Sequence, residues 1–366
     1  MKPMTMPRNE AGLAWQKFLK DRMAVTALWI LGVFYAAALL ADVLAPYSLR
    51  DESRAHTYCP PTGLHFFTPS GQWAGLHVRG VAMSYDIFRR RMYHETAAIY
   101  PVKFFSGGES YRLLGVVPFD RHFFTVDAPG RIYLLGADSR GRDIFSRIIH
   151  GARVSLTIGL LGVFISFGVG LLVGGIAGYC GGRTDQALMR VCEMVMMVPG
   201  FYLLLALRAA VPDSLDSLQV YAAIVIILSF IGWAGLARVI RGMCLSLKAR
   251  DYVLAAKTMG LSDLAIIMRH ILPHTISYSL AAVTLAVPGY ILGESALSLI
   301  GLGIQDPYAS WGNMLAEAMS IVRIQFAPWI LWPAFFIGMT VLCFNLVGDA
   351  LRDAWDPWLN GKGGGA

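Results

Sequence analysis

The chain has 366 residues, of which 56% are hydrophobic and 15% charged, against about 25% charged in an ordinary soluble domain. With a mean hydropathy of +0.54, that composition excludes a soluble globular protein and indicates an integral membrane protein. The net charge of +7 does not mark a nucleic-acid binder, because the Lys and Arg residues are spread along the chain and flank apolar runs, where they set topology.

Crossing about 30 Å of hydrocarbon takes about 20 mostly apolar residues as a helix. Six segments approach that length, and the first, Met23–Ala45, follows a basic tail containing Lys17, Lys20 and Arg22. Its apolar run is too long for a secretory signal, so it reads as an uncleaved anchor. The next stretch, Arg50 to about Leu135, departs from the hydrophobic composition and reads as a small extracytoplasmic domain. The pieces "YPVKFF", "YRLLGVVPF" and "RIYLLG" predict short antiparallel strands there. Arg89, Arg90 and Arg91 read as a solvated face. In "GADSRGRDIFSRIIHGARVSL", Gly136 to Leu156, Ile144, Ile148 and Ile149 share a helical face. Arg140, Arg142 and Arg147 are expected to snorkel upward, giving a short helix on the outer membrane surface.

The second span, Val154–Tyr179, carries Gly162, Ser166, Gly170, Gly174 and Gly178 at intervals of four. Such a small-residue stripe lets a neighbouring helix approach closely, which marks Gly170, Gly174 and Gly178 as packing positions. A pore lining is the alternative. The third span, Val191–Val211, contains Pro199, expected to kink it, together with Glu193 and Arg208. The fourth is Leu218–Ile240, the fifth Ile276–Ile300 with Glu294, and the sixth Phe326–Val347. Charged side chains inside spans are costly, so Glu193 and Glu294 are translocation-path candidates, with helix pairing as the other reading. A Gly-rich "GKGGGA" ends the chain.

Arg183 and Arg190 follow span two, and Arg238, Arg241, Lys248, Arg250, Lys257 and Arg269 follow span four, whereas Pro212–Ser217 has no basic residue and Gly301–Gln325 only Arg323. This asymmetry places both termini in the cytoplasm. Of the five cysteines only Cys59 falls in an external segment, so no intrachain disulfide framework is implied.

The basic link between spans four and five, "DYVLAAKTMGLSDLAIIMRHILP", is half apolar. Tyr252, Ala255, Ala256 and Met259 recur at helical spacing, forming one flat face, with bulk removed at the two alanines. Gly260 is placed to end that helix in the left-handed region, and Ser262 to cap a second one carrying Leu264, Ile267, Met268 and Ile271. Pro273 closes the unit. The expectation is a helix, a sharp turn and a helix on the cytoplasmic side.

"AAKTMG" followed by nine residues and "HILP" resembles the cytoplasmic signature of permease subunits of binding-protein-dependent ABC importers. The surrounding sequence, with "GADSRGRDIFSRIIHGARVSL", "MVPGFYLLLAL" and "ESALSLIGLGIQDPYASWGNMLAEA", is similar to the dipeptide/oligopeptide branch and to its C-type partner. The resemblance covers roughly Leu134–Pro357 and the first span. It implies an all-α membrane protein with six transmembrane helices of the type I ABC importer permease kind, carrying a β-rich extracytoplasmic insert between helices 1 and 2. The divisions are a cytoplasmic tail at 1–22, helix 1 at 23–45, the insert at 46–135, a core permease domain at 136–348 with coupling helices near 250–273, and a cytoplasmic tail at 349–366.

The resemblance also implies a place in the bacterial inner membrane and partners. These are a B-type permease, two cytoplasmic ATP-binding subunits and an extracytoplasmic solute-binding protein, with ATP bound on the partner subunits and no cofactor on this chain. Tyr252, Ala255, Ala256, Gly260 and Leu264 would contact the ATPase, whose closure rocks the spans between inward-facing and outward-facing states. Two positions depart from the signature, Leu254 where a Glu leads it and His270 where Ile is usual, and the insert is longer than the family's. The insert is expected to contact the binding protein or to act as a stabilising cap. Small peptides are the expected cargo; a nickel chelate, a glycan, or a non-transporting scaffold that recruits an ATPase is the alternative.

No catalytic group is expected. The chain lacks a Gly-x-x-x-x-Gly-Lys-Ser/Thr loop for nucleotide. His270 and His274 have metal-ligand spacing, but Pro273 lies between them and no third ligand is evident, so no metal site is expected.

Overall fold

In a computed structural model, described for residues 8–87, 91–113, 117–212 and 214–355, five helices are long and apolar enough to cross a membrane. A bent pair makes a sixth if it is one broken span. Helix α1 (Arg8–Lys20) precedes the first span, α2 (Arg22–Leu39), whose start is capped by Asp21 Oδ1 accepting from Met23 N at 2.9 Å. After the one-turn α3 (Ala41–Leu44) comes the insert, then α4 (Ile144–Cys180), α5 (Gly182–Met197), α6 (Gly200–Ala209) and α7 (Ser217–Leu247). The link carries α8 (Asp251–Thr258) and α9 (Asp263–Ile266) and leads into α10 (Ile276–Leu299). Short α11 (Trp311–Leu315) and α12 (Ile321–Phe326) precede α13 (Trp332–Trp355).

Two expectations about spans are corrected. The surface helix expected before span two is not separate, because α4 runs unbroken for 37 residues. At about 1.5 Å per residue that is roughly 55 Å, well beyond the hydrocarbon, so the first turns of α4 stand clear of it. Span three is broken rather than kinked, with α5 and α6 meeting at 87°. Val198 is extended, as a residue before proline prefers, and Pro199 caps α6 with no N–H of its own to continue the ladder.

The chain divides into two compact units. The first comprises Met1–Gly32, Ile158–Glu294 and Met339–Ala366. In it, α4 lies against α7 at the glycine stripe. A Cβ on Gly174 would stand 2.4 Å from Ala237 O and 2.8 Å from Ile240 Cβ, and one on Gly178 would stand 2.6 Å from Cys244 Cβ. Hydroxyls cross the same seam: Ser166 Oγ donates to Ser229 O at 2.8 Å and lies 2.5 Å from Tyr290 Oη of α10, while Ser229 Oγ, 2.6 Å from Val225 O of its own helix, also reaches Gly162 O at 3.1 Å. Small residues and interhelical hydrogen bonds hold these helices where no hydrophobic drive between them exists.

The second unit comprises Val33–Thr157 and Ser295–Gly338. Its insert is an antiparallel meander in the order β1 (Leu64–Phe67), β2 (Trp73–Tyr85), β3 (Arg91–Leu113), β4 (Val117–Val126). "YPVKFF" lies in β3, and "YRLLGVVPF" bridges the end of β3 and the start of β4. "RIYLLG" is not a strand. Arg131 is held in a two-pronged pair with Asp51 (3.0 and 2.9 Å), Ile132 N donates to Tyr47 Oη at 2.8 Å and Tyr133 N to Thr62 Oγ1 at 2.9 Å. Side chains thus supply the partners a neighbouring strand would give, and Ile132 and Tyr133 are buried. Of the three consecutive arginines, Arg91 opens β3; Arg89 and Arg90 lie outside the described residues.

The seam between α4 and α7 generates a matched test. Gly174→Ala should lower stability by about 1–3 kcal/mol, as overpacking does, whereas Gly168→Ala, where a Cβ meets nothing within 4 Å, should leave the melting temperature in detergent unchanged.

Candidate functional site

The link between α7 and α10 builds the helix–turn–helix. Arg250 precedes α8, and Gly260, at φ 76°, reverses the chain with open space around it. Ser262 Oγ then accepts from Ala265 N at 3.4 Å to start α9. A π-turn (Ile267–Ile271) and a 3₁₀ turn (Leu272–Thr275, with Pro273 in its first turn) carry the chain into α10.

The apolar residues of this unit divide between two faces. Val253, Ala256, Ile266, Ile267 and Ile271 are buried with Ile240 and Cys244 of α7, and Leu171, Ile176 and Tyr179 of α4 pack on them. Ala256 is therefore inside the chain's own core, and Tyr252 is half-buried with its ring 5.2 Å from that of His274. On the other side Leu254 (50%), Met259 (66%), Leu264 (59%) and Met268 (48%) are exposed, and so is Ala255. Isolated exposed apolar side chains are ordinary, but five within one short polar link mark a contact surface. The sequence put Tyr252, Ala255, Ala256 and Met259 on one face and Leu264, Ile267, Met268 and Ile271 on another; each is split, with Ala255, Met259, Leu264 and Met268 exposed and Ala256, Ile267 and Ile271 buried, because helical periodicity gives an apolar face without saying whether the chain itself covers it.

The path candidates separate. Glu193 is exposed on α5 and pairs with Arg190 one turn away at 3.1 Å, while Glu294 is completely buried in α10. Arg208 is buried in α6, with Nη1 3.3 Å from Val211 O.

A second polar constellation lies in the other unit. Arg142 Nε donates to Asp138 Oδ2 at 2.6 Å and Nη1 to Asp306 Oδ1 at 2.7 Å, while Arg147 Nη2 lies 3.4 Å from the same Asp306 oxygen. Glu317 accepts from Ser139 N and Oγ at 3.1 and 2.6 Å. These groups line a cavity of about 180 Å³. The expected snorkelling of Arg142 and Arg147 is overturned, since both are buried and ion-paired; only Arg140 is exposed, 3.2 Å from Glu52. Their shared partner Asp306 lies more than 150 residues away, a pairing no local pattern reveals, whereas Asp138 is only four residues before Arg142.

Burial alone would raise the Asp306 carboxyl, but the hydrogen bond from Arg142 and the charges of Arg142, Arg147 and Arg140 hold it below its ordinary value. Asp143, which caps α4 by accepting from Ser146 N at 2.8 Å, is pushed up to about 7 because burial outweighs its hydrogen bonds. Burial, then the Asp138 charge, raises Glu317 likewise.

The sequence model of the family described as "Binding-protein-dependent transport system inner membrane component" matches residues 170–361. The chain belongs to this family. A model described as the N-terminal TM domain of oligopeptide transport permease C matches residues 11–61. The dipeptide transport system permease protein of Bacillus subtilis (strain 168) is 31% identical over 346 residues, covering 94% of this chain and 85% of that protein. An oligopeptide transport system permease protein of Haemophilus influenzae is 40% identical over 226 residues, 62% of this chain and 70% of that one. A glutathione transport system permease protein of Escherichia coli O6:K15:H31 is 38% identical over 280 residues, 75% and 89% respectively. The chain is thus a membrane-embedded permease subunit of an ABC importer.

The buried carboxyls give the permease a defined pH dependence. A carboxyl whose folded pKa is raised stays protonated after the unfolded chain has released its proton. The stability that Asp143 contributes therefore falls as pH rises from 3.8 through about 7, and Glu317 acts in the same direction. Asp143→Asn should flatten the decline in melting temperature between about pH 4 and pH 7, measured by thermal unfolding in buffers of equal ionic strength.

Proposed function

We propose that this permease is the C-type half of the transmembrane pathway for small peptides. Its partners are a B-type permease, two cytoplasmic ATP-binding subunits and an extracytoplasmic solute-binding protein. The observation that carries the reading is the two-faced helix–turn–helix. Its inner face is sealed into the helices of the chain, and its outer face, Leu254, Ala255, Met259, Leu264 and Met268, is apolar and open. An ATP-binding subunit docked there moves the spans because the unit cannot rotate independently of α4 and α7. ATP binds on that subunit and this chain supplies no catalytic group. The names of the dipeptide, oligopeptide and glutathione permeases it resembles support peptides as cargo. The distribution of basic residues supports cytoplasmic termini and an extracytoplasmic insert, and the insert's position supports a contact with the binding protein.

Ligands carried by the co-purified binding protein, identified by mass spectrometry, test the cargo. Short peptides are expected, and a metal chelate or a glycan would refute it. Reporters fused after Ser214 or within Arg54–Pro129 should be active outside the cytoplasm, and those after Asp185 or Ser262 inside; an external Ser262 fusion would refute the coupling assignment.

The two faces predict different failures. Leu264→Glu and Met259→Glu should reduce retention of the ATP-binding subunit and ATP-driven uptake while leaving the permease's melting temperature unchanged. Ala256→Glu should instead lower that temperature, because it buries a charge.

A further inference from the structure

The insert's last hairpin has a feature the transport role does not use. β2 pairs with β3 only as far as Pro101, so beyond it β3 and β4 continue as a two-stranded ribbon, from Lys103↔Thr125 to Leu113↔Val117. A lone two-stranded ribbon is marginal in water. This one also exposes apolar side chains: Phe104, Phe105, Val117, Phe119 and Phe123 are each between 39% and 61% exposed. Val117, Phe119 and Phe123 alternate along β4 on one face, with the exposed Arg121 between the last two, opposite the buried His122 and Phe124, and the rings of Phe104 and Phe105 stack edge-on against Phe123 at 6.0 and 5.3 Å. From Leu113 to Phe119 the sequence LLGVVPF contains no charge.

Two contacts fix the direction in which the ribbon runs. His122 Nδ1–H donates to Ala45 O at 2.7 Å, just past the end of α3. Tyr111, farther toward the ribbon's tip, shares a cavity with Asp42, which lies nearer the membrane on the same segment. The ribbon therefore descends alongside the end of the first span. Its last paired residues lie two positions beyond Tyr111, about 7 Å deeper at the usual strand rise. Near that depth the end of α2 and the residue after it expose Leu39 and Leu40.

We infer that the β3–β4 ribbon is a lipid finger, whose Phe-rich face, as far as the last pair Leu113↔Val117, lies in the headgroup and acyl boundary of the leaflet on the insert's side. Phe rings suit that boundary, and the ribbon packs beside α3, directly after the end of the first span. The unpaired outer edges of a two-stranded ribbon keep it from going deeper, since open sheet edges find no hydrogen-bond partners in hydrocarbon. The finger pins the base of the insert to the membrane plane, which leaves the opposite end of the sheet free for a protein partner.

The test places nitroxide labels at Val117→Cys and Phe119→Cys, with Ile87→Cys at the far end of the sheet as reference, in full-length permease bearing Cys180→Ser and assembled with its partner subunits in vesicles. All three positions are exposed, so no change touches the core. Collision rates with oxygen, which partitions into lipid, and with a water-soluble nickel chelate are read by electron paramagnetic resonance. The finger predicts that oxygen collisions exceed nickel collisions at 117 and 119, with the order reversed at 87. Nickel access at 117 and 119 equal to that at 87 would overturn the inference by showing a solvated ribbon. Exclusion of both reagents would overturn it by showing that a protein subunit covers the face.

Discussion

The closeness with which α4 can approach α7 sets the geometry of the end of the first unit that carries the helix–turn–helix. Lipid tails are as apolar as leucine, so two membrane helices gain little by burying hydrophobic side chains against each other and must gain from contact and hydrogen bonds. Gly174 and Gly178 remove the side chains that would hold the helices apart, and Ser166 and Ser229 stitch the seam. At its end lie Ile240 and Cys244 of α7, the platform on which Val253 and Ala256 are buried. Near this end Arg241 of α7 grips Asp185 of α5 with two bonds of 2.5 Å. The helix–turn–helix is therefore a rigid extension of packed spans, the mechanical property that a connector for an external motor requires.

The second unit is organised by charge instead. Arg153 closes the end of the first span by donating to Ala38 O, Leu39 O and the Asp42 carboxylate, satisfying carbonyls that a helix end leaves without partners. Arg142 and Arg147 tie the start of α4 to Asp306, in the segment before α11. Removing Asp306 leaves two buried guanidinium groups short of a partner, at a cost below the about 3–5 kcal/mol of a fully buried pair because Asp306 itself is 35% exposed. This unit thus holds its loops by ion pairs, where the first unit holds its helices by small residues.

Much of this was legible in the sequence because membrane spans announce themselves by length and hydropathy, and because Gly260, Ser262 and the spaced glycines carry local meaning. The helix–turn–helix signature likewise pointed to the family. What escaped was what depends on distant partners. Ala256 and Ala255 are adjacent and identical, yet one is buried by α7 and the other is open, and nothing within the link distinguishes them. Arg142 and Arg147 looked like snorkelling residues because Asp306, which both of them meet, is remote in sequence. The strand expected at Arg131–Gly136 failed because Asp51, Tyr47 and Thr62 satisfy that backbone and side chain in its place. The break at Pro199 was visible, but its 87° angle depends on packing that the proline alone does not determine.

The central claim is that the open face of the helix–turn–helix receives the ATP-binding subunit. Cysteine cross-linking in the assembled importer tests it most directly, with single cysteines at Leu264 or Met259 in the Cys180→Ser chain and a short bifunctional reagent. The account predicts a cross-link to the ATP-binding subunit from both positions, its yield changing when ATP is added. Absence of that product from both positions, with subunits that remain associated, would contradict it.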